Sequence, residues 1–195
     1  MVNVLECFSG TKSVGKCCDA LGWDSVSVDM FMKSDHQVDI MDFDYKQYPK
    51  DYFDIVWASP PCTEYSKAKT RGIRKIDEAN KLVKKTLEII NYFDCTYWFI
   101  ENPQTGKLKD QAFMKDLQYC DVDYCMYGKP YRKRTRIWTN KKINLLLCNK
   151  NCGSFINNKH LGSCGNGQTQ YSDKSYSIYE KYSIPEDLIF SLFLD

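Results

Sequence analysis

The sequence lacks any long hydrophobic run. Its longest apolar stretches, residues 143–147 and 188–194, are far shorter than the roughly 20 residues that a membrane-spanning helix needs. It also lacks the pattern of a signal peptide, because residues 1–5 already read as the start of a β-strand. These absences predict a protein without a membrane segment, in the reducing setting of the cytoplasm or nucleus.

A large excess of charge of either sign is also missing. The 195 residues include 27 Lys and Arg against 25 Asp and Glu, which gives a net charge of +2. A chain this close to neutral cannot rely on its overall field to attract an acidic polymer, so any such contact must depend on a local basic patch. The length suits one domain with at most a small appendage.

Cysteine, by contrast, is abundant, with ten in the chain. Such a number indicates either a disulfide framework in an oxidising compartment or thiols that are free, catalytic or metal-bound. The lack of a signal peptide favours the second interpretation.

Strand-like and helix-like segments alternate along the first two-thirds of the chain. Strands are predicted over residues 2–8, 23–29, 53–58, 97–100, 124–127 and 136–139, with a further short strand before Asp39. Helices are predicted from Ser13 to a stop at Gly22, and over residues 77–93 and 185–193. This alternation predicts an α/β fold, with a mostly parallel sheet and helices on both faces.

Residues with chemical potential come directly after the predicted strands. In chain order they are Gly10, Asp29, Cys62 and Glu101. Ligands of such folds bind beyond the carboxyl ends of the strands, so these residues are expected to share one site at that edge of the sheet.

The turn that begins at Phe8 contains a glycine and joins a strand to a helix. Gly10 lets the backbone approach a ligand closely, and the helix start offers free N–H groups, although an ordinary tight turn looks the same. Asp29 favours a cofactor site, because a carboxylate about 20 residues downstream of such a turn commonly binds a ribose. Asp39 and Ile40 could border an adenine ring, while Asp39 alone reads more readily as a solvated loop carboxylate.

A rigid loop presents Cys62 to the same edge. It follows a buried strand and reads Ser59-Pro60-Pro61-Cys62. The two prolines fix an extended backbone, and a thiolate held there is a strong nucleophile. A buried, inert cysteine is the alternative, but Cys62 is the one cysteine of the chain on a rigid loop after a strand.

Glu101 and Asn102 follow the next predicted strand. Glu101 has apolar neighbours, Trp98, Phe99 and Pro103, and could donate a proton, while Asn102 could fix the loop by hydrogen bonds. A helix-capping pair is an equally good interpretation on the sequence alone.

A basic patch occupies residues 131–138. Arg132, Arg134 and Arg136 alternate, so on a strand they would point to one face and suit phosphate or base recognition. Further contacts could come from the loop after Cys62, which carries Ser66, Lys67, Lys69, Arg71, Arg74 and Lys75. A solvated charged face is the alternative.

Together these segments resemble the DNA (cytosine-5) methyltransferases over roughly residues 3–140. The Phe-Ser-Gly turn, the Pro-Pro-Cys loop, the Glu-Asn pair and the Arg-x-Arg strand stand in the family's order and spacing. The resemblance implies a Rossmann-like, S-adenosylmethionine-dependent methyltransferase fold, with a mostly parallel seven-stranded sheet and helices on both faces.

The resemblance also implies a role for each motif. Cys62 would attack carbon 6 of a cytosine flipped out of the double helix. Glu101 would bind ring nitrogen 3 and supply a proton, and Asn102 would steady the Pro-Pro-Cys loop. S-adenosylmethionine would be held by Phe8, Ser9, Gly10, Thr11, Asp29, Met30, Asp39 and Ile40, with Ser59 and Pro60 near its methyl group.

The basic residues would contact the nucleic acid. The flipped nucleotide would be gripped by Arg134 and Arg136, with further contacts from Ser66, Lys67, Lys69, Arg71 and Arg132. Double-stranded DNA is the expected partner of a monomeric enzyme, and a partner chain for target recognition is left open.

Several positions depart from the family's pattern. Lys12 stands where glycine is usual, Pro103 replaces a small apolar residue and Arg132 replaces a glutamine. A Gly-Asn motif near the C-terminus is not recognisable, and residues 182–185 with the final helix could fill its structural place. The chain also lacks room for a large target-recognition domain.

The polar segment after residue 140 is expected to recognise the target in the nucleic acid. We divide the chain into a catalytic domain (1–140), a small Cys/His-containing insertion (141–177) and a C-terminal helical segment that completes the catalytic domain (178–195). The insertion carries Cys148, Cys152, His160 and Cys164, which could bind a structural zinc ion; free surface cysteines are the alternative.

The sequence therefore leaves three hypotheses. The leading one is a DNA cytosine C5-methyltransferase. The second keeps the chemistry but changes the substrate to RNA such as tRNA. The third is a catalytically silent nucleic-acid-binding or regulatory subunit, including one half of a split enzyme.

Overall fold

The computed structural model describes residues 1–164 and 176–194, so residues 165–175 of the predicted insertion, and Asp195, lie outside the description. Its main sheet has six strands in the order β2-β1-β3-β4-β6-β5. They are β1 (Asn3–Cys7), β2 (Asp24–Val28), β3 (Ile55–Ala58), β4 (Tyr97–Pro103), β5 (Tyr119–Asp123) and β6 (Arg134–Thr139). The first four strands are parallel, whereas β6 pairs antiparallel with β4 and β5.

Helices cover both faces of this sheet. They are α1 (Ser13–Leu21), α2 (Ile76–Tyr92), α3 (Ile178–Tyr182) and α4 (Glu186–Leu194). Successive residues of a strand face opposite sides, and β3 illustrates this. Val56 packs in the core beneath α2, whereas Trp57 packs on the other side with α1 and α4. The predicted α/β architecture is therefore confirmed, and the predicted stop of α1 at Gly22 is too, since Gly22 adopts φ 68°.

The sheet has one strand fewer than the seven predicted, because residues 29–44 do not form the expected third strand. A single bridge joins Val28 to His36. The Asp29 carboxylate accepts the N–H groups of Phe31 and Met32, both at 2.8 Å, and Asp39 closes a similar local turn. Backbone donors held by neighbouring side chains are not available to a strand ladder.

The strand predicted over residues 124–127 is also wrong. Tyr124–Tyr127 is a 3-10 helix that ends at Gly128 (φ 85°), and the strand is β5, just before it. Tyr124 and Tyr127 are both buried, and residues three apart lie on one side of a 3-10 turn. The apolar run lacked the alternation of a half-buried strand.

β4 extends beyond the predicted end at Ile100, so Glu101 and Asn102 lie within the strand instead of capping it. The antiparallel partner β6 explains this, because Glu101 pairs with Ile137 and Asn102 with Arg136. The neighbouring parallel strand β3 stops at Ala58, so on that side the edge is left open above the sheet.

None of the helices in the described ranges combines the length and apolar character that a bilayer crossing requires.

A buried carboxylate anchors α1 to β1. Glu6 accepts hydrogen bonds from the backbone N–H groups of Val14 (3.1 Å) and Gly15 (3.0 Å). The side chain of Lys12, the residue before the helix, caps nothing, so Glu6 supplies from the strand the acceptors that the first turn needs. Burial raises the pKa of Glu6 to about 7, and the two amide hydrogen bonds only partly oppose this.

This raised pKa predicts a pH-dependent stability. Between about pH 4.5 and 7 the folded protein keeps a proton on Glu6 that the unfolded chain has released. The free energy of unfolding should therefore fall as the pH rises through this window, by roughly 3 kcal/mol in total. Urea unfolding of E6Q across the same range should lack this component, whereas E78Q, an exposed control on α2, should retain it. Identical pH profiles for E6Q and the unsubstituted protein would contradict the assignment.

Candidate active site

A cavity of about 1340 Å³ opens at the carboxyl ends of β1 to β4. It brings together most of the site residues predicted from the sequence. All ten predicted cofactor residues line it, and so do Cys62, Glu101, Ser66, Arg132 and Arg134. The predicted catalytic and nucleic-acid-binding residues that do not line it are Asn102, Lys67, Lys69, Arg71, Arg74, Lys75 and Arg136.

The loop after β1 has an unusual backbone. Phe8 (φ 57°), Gly10 (φ 45°) and Lys12 (φ 52°) all adopt the left-handed conformation. This conformation is costly for residues other than glycine, which gives a physical reason why glycine is usual at the position of Lys12. Lys12 is not among the residues that line the cavity, so its side chain does not reduce the space for a ligand.

Asp29 holds this loop in place. Its Oδ2 accepts the N–H of Gly10 at 2.8 Å, and its Oδ1 accepts the N–H groups of Phe31 and Met32. A carboxylate oxygen accepts about two hydrogen bonds, so Oδ1 is saturated and Oδ2 has one lone pair left for a ligand hydroxyl.

The C-terminal segment closes the loop from the other side. The Tyr179 hydroxyl donates to the carbonyl of Thr11 at 3.2 Å, and the N–H of Ile184 donates to Ser13 Oγ at 3.1 Å. Residues of α3, with Ile184, also line the cavity. The expectation that this segment takes the place of a missing C-terminal motif agrees with its position.

The loop that carries Cys62 is tied to β4. Asn102 donates from Nδ2 to the carbonyl of Pro60 at 2.9 Å and is fully buried. Asn102 therefore supports the loop without lining the cavity. Cys62 itself is half-buried. Burial and then the negative charge of Glu101 raise the pKa of the Cys62 thiol, and nearby Lys133 partly opposes them.

Glu101 does not lie in the apolar setting expected from its sequence neighbours. The Tyr124 hydroxyl donates to Glu101 Oε1 at 3.0 Å, and Lys133 Nζ lies 3.7 Å from the same oxygen. The alternating geometry of β4 turns Trp98 to the opposite face of the sheet, whereas Pro103 shares the face of Glu101 and lines the same cavity. The second carboxylate oxygen has no protein partner among the contacts of the described residues, and Glu101 lines the cavity.

A buried ion pair holds two of the predicted arginines. Asp123 is fully buried and binds Arg134 through both oxygens (3.0 and 2.6 Å) and Arg132 Nε at 3.1 Å. The N–H of Cys148 also donates to Asp123, at 2.9 Å. Burial alone would disfavour the charge, but these hydrogen bonds, from Arg134 first, lower the pKa of Asp123 below its usual value.

Arg136 does not share this position. It forms a bidentate pair with Asp121 (2.7 and 3.0 Å), and its guanidinium stacks on the ring of Tyr119 at 3.5 Å. Arg136 therefore pairs with the neighbouring strand β5 and lies outside the cavity, and its predicted contact with a nucleotide stays a prediction.

The basic loop after Cys62 is largely self-contained. Lys69 pairs with Glu64 at 2.6 Å, and Arg74 donates to the carbonyls of Glu64, Ser66 and Lys69. Lys67 and Arg71 are exposed and lie away from the cavity. Lys69 therefore neutralises a local carboxylate, whereas Lys67, Arg71 and Lys75 are exposed, and the phosphate contacts of this loop stay a prediction.

The predicted zinc ligands are divided between two places. Cys148, Cys152 and His160 lie together, but the fourth member of their group is Cys125, not Cys164. The N–H of Gly162 donates to the carbonyl of Pro130 at 2.8 Å, which turns the chain toward the arginines. Cys164 consequently lines the cavity, where its thiol donates to the carbonyl of Arg132 at 3.2 Å.

The sequence interpretation missed four residues of this site. They are Glu6, which holds the start of α1, Asp123, which binds the arginines, and Tyr124 and Lys133, which contact Glu101. A charge within the apolar strand β1 was a signal for Glu6. Acidic residues alternate in β5 as arginines do in β6, so pairing these strands could have identified Asp123.

The sequence matches the family of C-5 cytosine-specific DNA methylases over residues 8–118, which is more than half of the chain. A relative from frog virus 3 (isolate Goorha), named "Probable DNA (cytosine-5)-methyltransferase", is 39% identical over 153 residues. That match covers 71% of this chain and 70% of the relative.

Two examples illustrate the similarity of this chain to solved structures. One is described as a DNA modification methyltransferase encoded within a prophage (E. coli), with 16% identity and a TM-score of 0.55 over 71% of this chain and 46% of its own. The other is a variant of Spodoptera frugiperda DNMT2, with 14% identity and a TM-score of 0.51 over 75% and 55%. The chain spans about half the length of these proteins, and the likeness confirms the predicted Rossmann-like α/β class.

The Asp123 ion pair predicts a large structural effect. D123A leaves two arginines and a backbone N–H without their acceptor, so we expect a loss of about 3 kcal/mol in the free energy of unfolding, at the low end for a buried pair because both arginines are partly exposed. D116A removes an exposed carboxylate nearby in sequence and should change little. Urea unfolding measures both, and equal losses would contradict the assignment.

Proposed function

Because the chain belongs to the C-5 cytosine-specific DNA methylase family, we propose that it transfers a methyl group from S-adenosylmethionine to carbon 5 of a cytosine through a covalent bond to Cys62. The observation that supports this most is the shared cavity, which joins the loop after β1 to Cys62 and Glu101. Its volume of about 1340 Å³ exceeds that of a usual single-ligand pocket and would admit a cofactor together with one flipped nucleotide.

The residues around the loop after β1 fit the proposed cofactor. The buried Ser9 hydroxyl has no hydrogen-bond partner among the described residues, and Asp29 retains one lone pair, so polar groups of a ligand would satisfy both. Phe8 and Ile40 supply apolar surface for an adenine ring. The chemistry that bound S-adenosylmethionine would supply is an electrophilic methyl group.

Cys62 would act as the nucleophile. Its sulfur would bond to carbon 6 of the ring, and the electron pair of the double bond would move to carbon 5. Carbon 5 would then take the methyl group. Loss of the carbon 5 proton would restore the double bond and release the Cys62 sulfur, so the net products are methylcytosine, the demethylated cofactor and a proton.

Glu101 would control the charge in both steps. Its free oxygen could meet ring nitrogen 3, where a proton would draw electrons from carbon 6. The charge of Glu101 also raises the pKa of Cys62, so placing a proton between Glu101 and the base would remove one obstacle to thiolate formation. Tyr124 and Lys133 would orient the carboxyl group for this task.

The arginines would receive the nucleic acid. Arg132 and Arg134 line the cavity, and Asp123 fixes their guanidinium groups. A flipped nucleotide brings its phosphates to the rim of such a pocket, where fixed guanidinium groups suit them. We propose that residues 141–177 add the contacts that select the target, since Cys148 and Cys164 connect this segment to both arginines.

The covalent step predicts a separation of binding from chemistry. C62S should bind S-adenosylmethionine within about twofold of the unsubstituted protein, since the cofactor residues are untouched, but methyl transfer should fall at least about 1000-fold because a hydroxyl is a far weaker nucleophile. C95S, a cysteine outside the cavity, is the matched control.

A duplex containing 5-fluorocytosine tests the same bond directly, because fluorine cannot leave carbon 5 as a proton does. The unsubstituted protein and C95S should form an adduct that survives denaturing electrophoresis in the presence of cofactor, and C62S should form none. An adduct with C62S, or no adduct with any of the three, would rule out the mechanism.

The family and the viral relative favour DNA over RNA as the substrate. Tritiated methyl transfer to duplex DNA should exceed transfer to tRNA by at least about tenfold at equal cytosine content, with C62S as the blank. Bisulfite sequencing of plasmid from cells that express the chain would then give the sequence context. Preferential labelling of tRNA would instead support the RNA alternative.

A further inference from the structure

Four potential metal ligands lie together outside the proposed active site. The thiols of Cys125, Cys148 and Cys152 and a ring nitrogen of His160 all lie within 4.8 Å of one another. The three cysteines are buried and His160 is partly buried. All ten cysteines of the chain lie in the described ranges and are free thiols, so no disulfide accounts for the group.

The separations suit a tetrahedral ion. With bonds of about 2.3 Å to sulfur and about 2.0 Å to nitrogen, the ligand atoms of a zinc site lie roughly 3.3–3.8 Å apart. Cys148 Sγ and His160 Nε2 are already 3.5 Å apart. Three thiolates and one imidazole are the donors that zinc prefers, whereas magnesium and calcium require oxygen.

The surrounding segment has little apolar packing of its own. The ligands come from the 3-10 helix Tyr124–Tyr127, the loop after β6 and a hairpin formed by β7 (Phe155–Ile156) and β8 (Lys159–His160). The small apolar cluster here consists of three of these cysteines, with Met126 and Phe155 packed against it. A hairpin of two-residue strands is not stable by itself, so a cross-link is needed.

We propose that Cys125, Cys148, Cys152 and His160 bind one Zn²⁺ ion that holds residues 148–160 against the end of β5. All four positions of the tetrahedron are filled by protein, which leaves no place for a substrate or water and makes the ion structural.

The ion would also reach the arginines. The N–H of the ligand Cys148 donates to Asp123, which in turn binds Arg132 and Arg134. Cys125 lies two residues after Asp123 in the chain. The proposed ion would therefore hold two segments next to Asp123: the one that follows it in the chain, through Cys125, and the one that donates to it, through Cys148.

Metal analysis of the purified full chain tests the proposal. We expect about one zinc per chain by mass spectrometry after dialysis, and release of that zinc when the thiols are modified. Cobalt substituted for zinc should give the intense visible absorption of a tetrahedral site with thiolate charge-transfer bands. These readouts do not depend on enzymatic activity.

Matched cysteine variants identify the ligands. C125S should retain less than about a fifth of the zinc, whereas C164S, which removes the thiol in the cavity, should retain all of it. H160C keeps four soft ligands and should still bind one ion. It therefore tests the site even where C125S fails to fold.

Several results would overturn the proposal. The first is a folded, unsubstituted protein that binds neither zinc nor tetrahedral cobalt. The second is a disulfide among the three cysteines in protein purified with a reducing agent. The third is a loss of zinc in C164S as large as that in C125S.

Discussion

The buried carboxylate of Asp123 is the interaction on which the rest of the structure depends. A charge without solvent is tolerated only where its oxygens are filled, and here two guanidinium groups and the N–H of Cys148 fill them. These partners come from the residues before and within β6 and from the Cys/His segment. Asp123 therefore fixes the edge of the sheet, the arginines of the cavity and the Cys/His segment relative to one another. A shift of any of them would leave the buried charge without a hydrogen-bond partner.

The cavity illustrates a second constraint, because its charged groups have opposite effects on the pKa of Cys62. Glu101 disfavours the thiolate of Cys62 while Lys133 favours it, and the same lysine lies beside Glu101. Burial and Glu101 outweigh Lys133, so the pKa of the Cys62 thiol is raised and the thiol is favoured over the thiolate. In the mechanism that we propose, a bound ring that shares a proton with Glu101 would change this balance at the step that requires the thiolate.

Much of the fold and the site could be predicted from the sequence, where local pattern and strand order carry the information. The loop at Gly10 and the Cys62 loop follow buried strands, so the topology alone places them at one edge. The rest depends on pairing that local pattern does not contain. Arg136 alternates with Arg134, but only the register with β5 shows that it meets Asp121. Cys125 lies in an apolar run that looked like a strand, and its separation from Cys148 hid it from any spacing rule. Cys164 fitted such a rule and lies elsewhere.

The contacts that close the loop after β1 have a consequence for biosynthesis. Tyr179 and Ile184 reach Thr11 and Ser13 across separations of 168 and 171 residues. A ribosome makes the loop before its closing segment, so the nascent chain at first carries the loop without the residues that close it. Contacts of such long range also slow the folding search, because distant parts of the chain must first meet. The closed arrangement of the loop can therefore form only after residues 179–184 have been made, so the folding of this edge of the sheet waits for a segment that lies far along the chain.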